Sequence, residues 1–372
     1  MRIALICNSY PTKKNPFNQI FIKKMEDQLR LEGLEVIVYF NPIFNYWGNA
    51  NKVKNPFATI IKYLTYIFSI IFFLIKTRKN VDIYFPQGVL FATTISVLFK
   101  KIFGKPVISY IHGGDLNKYY KKKGIINSIL KYSLNNSDYI ISNSVDIESK
   151  VKAISTNKNL KVISPGVNLK EMFPLPEIDK LKDKYDIPSD KIILLLAGNS
   201  IKRKGFDIFL EALNQLNFTV RKKIFTVMLT NGPLRTSYEE FIKVESLDES
   251  LRLIDKVPPK VLNEYYNISD VFIFPSREEP LGLVGIEAMA SGTIVIGSNV
   301  GGIKEFIQDG KTGFIFQSEN SDALAKKIEK VVNSFYELDF MRSEILETVK
   351  EHSIEESAKS LKTIFFNSLN YQ

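Results

Sequence analysis

The sequence predicts an α/β protein of two domains, each a doubly wound parallel sheet with helices on both faces. The first observation is a repeated alternation of short apolar runs with helical patterns, which is typical of βαβ units. The second is that this alternation forms two series, separated by a proline-rich segment at residues 164–176. The third is the length of 372 residues, which suits two domains of ordinary size.

The first series of strands lies in residues 1–165, which we assign to the first domain. Helical patterns separate its apolar runs, and a helix is predicted over Ile20–Leu31. Cys7 is the single cysteine, so a disulfide framework is excluded and we expect a small buried residue there. We expect no secretory signal, because the sequence starts directly with a strand. The predicted strands are Ile3–Cys7, Val36–Phe40, Val81–Phe85, Val107–Ile111, Tyr139–Ser142 and Val162–Ser164.

One helical segment, Phe57–Ile75, is unusually apolar, with Lys62 as its single charge. Its 19 residues are borderline for spanning a bilayer, which takes about 20 mainly apolar residues, and its polar residues disfavour that interpretation. Two interpretations remain: a core helix packed on the sheet, or a helix whose outer face enters lipid beside basic residues. Those basic residues are Lys52, Lys54, Lys76, Arg78 and Lys79.

The second series of strands begins after the proline-rich hinge, and we assign residues 166–352 to the second domain. Its predicted strands are Ile192–Leu196, Phe225–Leu229, Leu251–Ile254, Val271–Phe274 and Ile294–Ile296. We predict a helix over Pro259–Tyr266 and read His352 as a surface residue. The final segment, 353–372, is predicted to be a helix with an apolar stripe formed by Ile354, Ala358, Leu361 and Phe365.

Charge is divided unequally between the two halves. Residues 1–165 carry 24 Lys/Arg and 9 Asp/Glu, a net charge of +15, whereas residues 166–372 carry 26 and 31, a net charge of −5. A basic half suits an anionic membrane surface, a phosphorylated acceptor or nucleic acid. Nucleic acid is the weakest of these, since no zinc-finger, Walker, Rossmann glycine or RNA-binding motif is present. Two histidines and one cysteine also exclude a His/Cys zinc site.

The chemistry of the second half is concentrated in residues 275–316. A buried strand ends at Pro275, a Gly/Pro/acidic loop follows, and a helix is predicted over Leu283–Ala290. Unpaired N–H groups at Leu283 and Val284 would face the crevice at the carboxyl end of the strand, which suits a phosphate. Glu279 and Glu287 frame this loop as possible acceptors for the hydroxyls of a diol. The alternative is that both are solvated surface acids.

Together, these residues resemble the donor-site signature of the family 4 retaining glycosyltransferases (glycosyl transferases group 1). The matching residues are Glu279, Pro280-Leu281-Gly282-Leu283, Glu287-Ala288-Met289-Ala290 and Gly301-Gly302, with Leu281 where the family usually has Phe. The resemblance implies the GT-B fold: two Rossmann-like domains facing each other across a cleft, with a C-terminal helix that crosses back to the first domain. It also implies that Glu279 contacts the donor sugar and Glu287 the nucleotide ribose.

Two further loops share in this resemblance. Ile111-His112-Gly113-Gly114-Asp115 resembles the family's His-Gly-x-Asp loop, which implies that His112 orients the transferred sugar and that Asp115 lies on the acceptor side. The segment from Gly198 to Asp207 follows a strand and contains a glycine, basic residues and the start of a helix. A loop of this kind is suited to binding a diphosphate. Lys204-Gly205 matches the family's Lys-Gly pair there. Asn199 replaces the family's arginine, which leaves Lys202 or Arg203 as candidates for the second cation.

The expected function is therefore transfer of a hexose from a nucleoside diphosphate sugar to an acceptor hydroxyl, with retention at the anomeric carbon. No cofactor or metal is expected, since no Asp-x-Asp pair is present. The basic half suggests a lipid-linked or cell-surface glycan acceptor, peripheral contact with an anionic membrane, and a location at the cytoplasmic face. Two alternatives remain open: a nucleotide-sugar epimerase of the same architecture, and a noncatalytic membrane-associated scaffold.

Overall fold

The structure is a computed structural model that describes residues 1–13, 15–41 and 56–370, with the backbone alone for residues 56–59 and Asp115. The chain divides into two compact units. Unit 1 comprises Met1–Gly166 with Ile354–Gln372, and unit 2 comprises Val167–Ser353. All sheet pairing between the strands is parallel, so the predicted α/β fold is confirmed.

Unit 1 contains two three-stranded parallel sheets with the orders β2-β1-β3 and β4-β5-β6. Two isolated parallel bridges, Tyr84–Val107 and Gln87–Tyr110, join β3 to β4. The strands are β1 (Arg2–Cys7), β2 (Glu35–Phe40), β3 (Ile83–Pro86), β4 (Ile108–Ile111), β5 (Tyr139–Ser142) and β6 (Leu160–Val162). The prediction of a strand at Val162–Ser164 was wrong by two residues, because pairing starts at Leu160 opposite Ile140 and ends at Val162 opposite Ser142, the last residue of β5.

Helices cover both faces of the unit 1 sheet, and the two-residue period of β1 explains why. Ile3, Leu5 and Cys7 pack with residues of α1 (Ile20–Leu31) and the last helix, whereas Ala4 and Ile6 pack with residues of α2 (Pro56–Thr77) and α3 (Ala92–Phe103). Cys7 is a buried free thiol, as predicted. The helices of unit 1 are α1 (Ile20–Leu31), α2 (Pro56–Thr77), α3 (Ala92–Phe103), α4 (Gly114–Tyr119), α5 (Ile125–Asn135), α6 (Val145–Lys152) and, from the end of the chain, α16 (Ile354–Asn370).

Unit 2 is built on one six-stranded parallel sheet with the order β12-β11-β10-β7-β8-β9. Its strands are β7 (Ile192–Asn199), β8 (Ile224–Asn231), β9 (Leu251–Ile254), β10 (Val271–Phe274), β11 (Ile294–Ser298) and β12 (Gly313–Phe316). Its helices are α7 (Ile178–Lys184), α8 (Phe206–Gln215), α9 (Phe218–Arg221), α10 (Arg235–Val244), α11 (Pro259–Ile268), α12 (Leu283–Ala290), α13 (Ile303–Phe306), α14 (Ser321–Asn333) and α15 (Phe340–Lys350).

His352 is partly buried at the end of unit 2, so its assignment to the surface was wrong. Its carbonyl oxygen accepts a hydrogen bond of 2.9 Å from the N–H of Val167, next to an isolated bridge between Val167 and Ser353. The first and last residues of unit 2 are thus tied together. Burial lowers the pKa of His352 despite the opposing effect of Glu351. Acidic neighbours in sequence did not predict exposure, because the backbone pairing decides it.

Candidate functional site

The order of strands in unit 2 creates a crevice between β7 and β10. The chain proceeds from β7 to β8 and β9 on one side of the sheet, and from β10 to β11 and β12 on the other. The loops after β7 and β10 therefore lead away from each other, and in open α/β sheets ligands bind at this switch point, outside the carboxyl ends of the strands. The loop after β7 contains Lys204 and the loop after β10 contains Glu279.

Lys204 and Glu279 form the central contact of this site. Lys204 Nζ lies 2.5 Å from Glu279 Oε2, and the two side chains are 12% and 10% exposed. Lys204 Nζ also lies 5.4 Å from the centre of the Phe274 ring, at the end of β10. Gly198, at the end of β7, lies beside the Lys204 side chain, since a Cβ added there would be 3.8 Å from Lys204 Cε. The alternative of a solvated surface acid is therefore wrong for Glu279.

The backbone of Glu279 is held by the Gly301-Gly302 turn. Gly302 N–H donates a 3.1 Å hydrogen bond to Glu279 O. Gly301 has φ +49°, and a Cβ added to it would lie 1.8 Å from Glu279 O, closer than any side chain allows. The two glycines are therefore required by the close approach of the two loops.

The helix α12 begins at Leu283, directly after this loop, and its N-cap residue Gly282 has φ +101° and provides no side-chain cap. A Cβ added to Gly282 would lie 2.7 Å from the Phe274 ring and 3.3 Å from Glu279 Cγ, so glycine is needed there as well. Helix geometry leaves the N–H groups of Leu283 and Val284 without intrahelical acceptors. The positive end of α12 therefore lies next to the Lys204–Glu279 pair and is suited to an anion.

Glu287 lies one turn further along α12 and is partly buried. Its Oε2 atom accepts a 3.3 Å hydrogen bond from the hydroxyl of Tyr266, on α11. Burial, with a further contribution from Glu287, raises the pKa of Tyr266 well above its ordinary value, so this hydroxyl remains a donor. Tyr266 was not predicted as a site residue, because a tyrosine within a helical pattern carries no signal for such a role.

A separate charge cluster holds the loop that contains Lys204. Arg277 forms two hydrogen bonds with Asp207, of 2.7 and 2.9 Å, and Lys202 Nζ lies 2.5 Å from Asp207 Oδ2. Burial raises the pKa of Asp207, but hydrogen bonds from Arg277 and Lys202 outweigh this effect and the net shift is downward. Arg277 and Asp207 were also missed by the sequence analysis, because they are 70 residues apart.

This cluster distinguishes between Lys202 and Arg203, the two candidates for the second cation of the diphosphate loop. Lys202 is engaged by Asp207, whereas Arg203 Nη1 lies 3.8 Å from Glu279 Oε1 and donates a 3.0 Å hydrogen bond to Glu278 O. Arg203 is thus the candidate that lies beside the Lys204–Glu279 pair. Asn199, where the family has arginine, ends β7 and is exposed.

His112 belongs to unit 1 and follows β4 directly. Its Nε2 atom lies 2.7 Å from Gln87 Oε1, and because an amide oxygen can only accept, we assign the proton to Nε2. Its Nδ1 atom is buried and has no hydrogen-bond partner among the described residues. Burial lowers the pKa of His112 to about 3, so the ring is neutral at physiological pH. Gln87 was missed, although a polar residue directly after a strand is a usable signal.

The structure thus brings together five predicted residues of unit 2: Gly198, Lys204, Glu279, Gly282 and Leu283, with Val284 and Glu287 following on the same helix. His112 belongs to unit 1, and the side chain of the acceptor-side candidate Asp115 lies outside the described part of the chain. Within the described residues, no group of three or more His, Cys, Asp or Glu side chains is arranged to hold a metal ion.

Sequence comparisons match most of the second unit to a known protein family. Residues 177–341 match the family described as "Glycosyl transferases group 1". A D-inositol 3-phosphate glycosyltransferase from Catenulispora acidiphila is 24% identical over 243 residues, which cover 63% of this chain and 58% of that protein. An N-acetyl-alpha-D-glucosaminyl L-malate synthase from Bacillus anthracis is 25% identical over 259 residues, covering 68% and 65%. The matches thus span less than two thirds of these relatives.

Solved structures extend the comparison to the whole chain. A sucrose-phosphate synthase from Thermosynechococcus elongatus has a TM-score of 0.81 at 19% identity, with both chains fully covered. HepE from Anabaena, solved in complex with UDP, has a TM-score of 0.78 at 15% identity, covering 99% of this chain and 100% of HepE. At these identities the similarity establishes the fold, and the predicted GT-B fold is confirmed. Residues 177–341 thus match the glycosyl transferases group 1 family, and the whole chain has the GT-B fold.

Proposed function

We propose that this protein transfers a hexose from a nucleoside diphosphate sugar to an acceptor hydroxyl, with retention at the anomeric carbon. The observation that carries the proposal is the Lys204–Glu279 contact of 2.5 Å beside the uncapped start of α12. A cation and oriented N–H groups suit a diphosphate, and a carboxylate beside them suits the hydroxyls of the attached sugar. The family of residues 177–341 and the names of the relatives support the same reaction.

The donor would be bound mainly by unit 2. Lys204 and the N–H groups of Leu283 and Val284 hold the diphosphate, and Arg203 supplies the second positive charge in place of the family's arginine. Gly198 and Gly282 allow the ligand to approach the backbone closely. Glu287 accepts hydrogen bonds from the ribose hydroxyls. The presence of UDP in the HepE structure makes uridine the first base to test.

Two residues are assigned to the transferred sugar, and both contact it in the proposed reaction. Glu279 binds and orients the sugar hydroxyls rather than forming a covalent bond. His112 orients the sugar through its Nδ1 atom, which has no partner in the described part of the chain, while Gln87 fixes the ring and its tautomer. Asp115 is assigned to the acceptor. A neutral imidazole is suited to this role, because it accepts a hydrogen bond without adding repulsion to the positive charge that develops on the sugar.

The departing diphosphate carries the charge that must be stabilised in the transition state. Preorganised N–H dipoles and a lysine in a site of low water content are effective for this purpose. We therefore propose a metal-independent reaction, in which Lys204, Arg203 and the start of α12 stabilise the leaving group. Transfer that is unchanged by EDTA would agree with this mechanism, and restoration by a divalent cation after EDTA would contradict it.

The acceptor is proposed to be a lipid-linked or cell-surface polysaccharide precursor at the cytoplasmic face of the cell membrane. The support is the net charge of +15 in residues 1–165, which favours a phosphorylated lipid carrier and an anionic bilayer. Unit 1 would then be the acceptor-side domain and unit 2 the donor-binding domain. Incubation with UDP-sugars and lipid diphosphate acceptors, followed by product analysis, identifies both substrates.

The site assignment is tested with variants of residues in one loop. We expect Lys204→Gln and Arg203→Gln each to weaken UDP binding about tenfold, because each removes a charged hydrogen-bond donor. Lys202→Gln is the matched control and should change UDP affinity less than about twofold, since Lys202 pairs with Asp207. Glu279→Gln should retain UDP binding but lower kcat about 10²-fold or more. Calorimetry with UDP and a transfer assay provide the measurements.

Other results of these experiments would contradict the site assignment or favour one of the two alternative functions. Unchanged UDP affinity in Lys204→Gln would contradict the site. Conversion of the donor sugar with no acceptor present would favour the epimerase, and UDP binding without turnover on any acceptor would favour the scaffold.

A further inference from the structure

The helix α2 has two apolar faces, and only one of them belongs to the core. Tyr66, Ile70 and Leu74 are completely buried against the unit 1 sheet. The opposite face carries large apolar residues at spacings of three and four, which places them in one stripe along the helix. Two of them, Phe68 and Phe72, are 66% and 68% exposed. This exposed stripe consists of Ile61, Leu64, Phe68, Phe72 and Ile75.

The buried face excludes a membrane-spanning arrangement of α2 in this fold. With 22 residues the helix is about 33 Å long, and by length and composition it could cross a bilayer. However, Tyr66 hydrogen-bonds to Asn8, and Ser69 hydrogen-bonds to Tyr39 on β2. Spanning would remove these contacts and the core residues beside them. The exposed stripe is therefore available only to a surface that lies alongside the helix.

The charge around α2 indicates the kind of surface. Residues 36–114 contain nine Lys/Arg and a single acidic residue, Asp82. Lys76 and Lys79 are exposed at the carboxyl end of the helix, next to the last residue of the stripe. The packed neighbour α3 adds an exposed Ile102 beside an exposed Lys101. Exposed aromatic residues flanked by cations with almost no anions are suited to an anionic lipid surface.

We propose that the exposed stripe of α2 is a membrane-docking surface that inserts into the interfacial region of a bilayer containing anionic phospholipid. Phe68 and Phe72 enter the acyl boundary while Lys76 and Lys79 remain among the headgroups. The role of this docking is to bring unit 1 to a lipid-linked acceptor, and this role rests on the proposed function. The binding itself requires neither donor nor acceptor, so it can fail or succeed independently of sugar transfer.

The test is vesicle flotation with phosphatidylcholine alone and with added phosphatidylglycerol. We expect the wild type to float with anionic vesicles at least about tenfold more than with neutral ones. Phe68→Ser/Phe72→Ser should reduce anionic-vesicle binding about tenfold or more, because two large side chains no longer leave water. The matched control is Phe218→Ser/Tyr336→Ser in unit 2, which removes two aromatic residues outside the stripe that are also largely exposed (63% and 93%).

Several results would overturn the proposal. The first is equal flotation of both double variants, and the second is wild-type binding that does not depend on phosphatidylglycerol. The third is a wild-type dimer in light scattering that becomes a monomer in the Phe68→Ser/Phe72→Ser variant. The last would assign the stripe to a second copy of the chain. Circular dichroism and UDP binding verify that the variants are folded. Because UDP binds without vesicles, loss of UDP affinity tests the proposed function and loss of flotation tests the docking surface.

Discussion

The side chains of the candidate site show how little their sequence neighbourhood says about their partners. Lys202, Arg203 and Lys204 are consecutive, but Lys202 contacts Asp207 while Lys204 contacts Glu279, 75 residues away. Arg203 lies beside the same glutamate. Three adjacent cations thus differ in environment because a short 3₁₀ segment, Lys202–Lys204, directs them to different sides. The assignment of roles among them required the three-dimensional positions.

His112 provides a prediction about pH that is independent of any assay for sugar transfer. Its pKa is about 3 in the folded chain and 6.5 as the ordinary value, so below pH 6.5 the unfolded chain binds a proton that the folded chain does not. Above pH 6.5 the ring is neutral in both states and the free energy of unfolding is at its full value. As the pH falls from 6.5 toward 3, only the unfolded chain takes up the proton, so the free energy of unfolding decreases. Between pH 7 and pH 5, we expect wild-type unit 1 to lose up to about 2 kcal/mol more unfolding free energy than His112→Gln.

Urea unfolding at the two pH values, followed by a probe in unit 1, measures this difference. His352→Gln is the control, since His352 also has a lowered pKa but lies in unit 2. Identical pH dependence of the unit 1 transition in wild type and His112→Gln would contradict the buried, neutral histidine.

Among the secondary-structure elements, the loops after β7 and β10 decide the geometry of the site, and glycines allow them to meet. A Cβ added to Gly205 would lie 1.9 Å from Pro275 O, and one added to Gly301 would lie 1.8 Å from Glu279 O. The backbone thus approaches closely between the 3₁₀ segment and the end of β10, and between the Gly301-Gly302 turn and the loop that contains Glu279. The conformation of Glu279 therefore depends on residues that do not contact the proposed ligand.

Gly301→Ala tests this dependence against a matched glycine. Both Gly301 and Gly310 have positive φ, but a Cβ on Gly310 would have no atom within 4 Å. Gly310→Ala should therefore cost only the backbone strain, about 1–2 kcal/mol. Gly301→Ala should cost about 3 kcal/mol or more and should weaken UDP binding, because displacement of Glu279 also displaces Lys204, its partner in the site. Thermal unfolding and calorimetry measure both effects; equal behaviour of the two variants would show that the turn does not position Glu279.

Across the whole chain, the last helix completes the first unit. After unit 2 ends at Ser353, α16 packs on unit 1, where Leu361 and Phe365 join Ile22 and Phe85 in one apolar cluster. Lys362 Nζ also hydrogen-bonds to Glu32 O at 2.6 Å. Unit 1 is thus made of two segments that are distant in sequence, so its stability depends on synthesis of the complete unit 2.

Two adjacent phenylalanines in α16 test this dependence. Phe365 is completely buried and its ring contacts Phe85 edge to face, whereas Phe366 is 48% exposed. Phe365→Ala should destabilise unit 1 by about 3–5 kcal/mol, the usual cost of removing a buried aromatic side chain. Phe366→Ala should cost less than about 1 kcal/mol. Limited proteolysis and differential scanning calorimetry resolve the unit 1 transition; similar losses in both variants would contradict the packing of α16.

Much of the fold was predictable because it depends on local pattern. The strands at Tyr139–Ser142, Leu251–Ile254 and Val271–Phe274 and the helices at Ile20–Leu31 and Leu283–Ala290 have the predicted bounds. Periodicity and capping residues are properties of neighbouring residues, so a sequence displays them directly. The stripe of Ile354, Ala358, Leu361 and Phe365 is likewise buried as predicted.

Partners distant in sequence were not predictable in this way. No local pattern indicates that Arg277 binds Asp207 or that Tyr266 donates to Glu287, and the position of Gln87 directly after a strand does not indicate that its partner is His112. The same holds for α2, whose composition is apolar all round and does not reveal which face the sheet covers.

For this protein, residue order alone established the alternating elements, the basic first half and the Glu279–Glu287 signature. The folded chain then determined which loops converge on Glu279, which two of three neighbouring cations lie beside it, and which side of α2 meets solvent. The physical reason is that helix and strand formation depends on neighbours a few residues away. Burial and charge pairing depend instead on strand order, which brings together residues 70 or more positions apart.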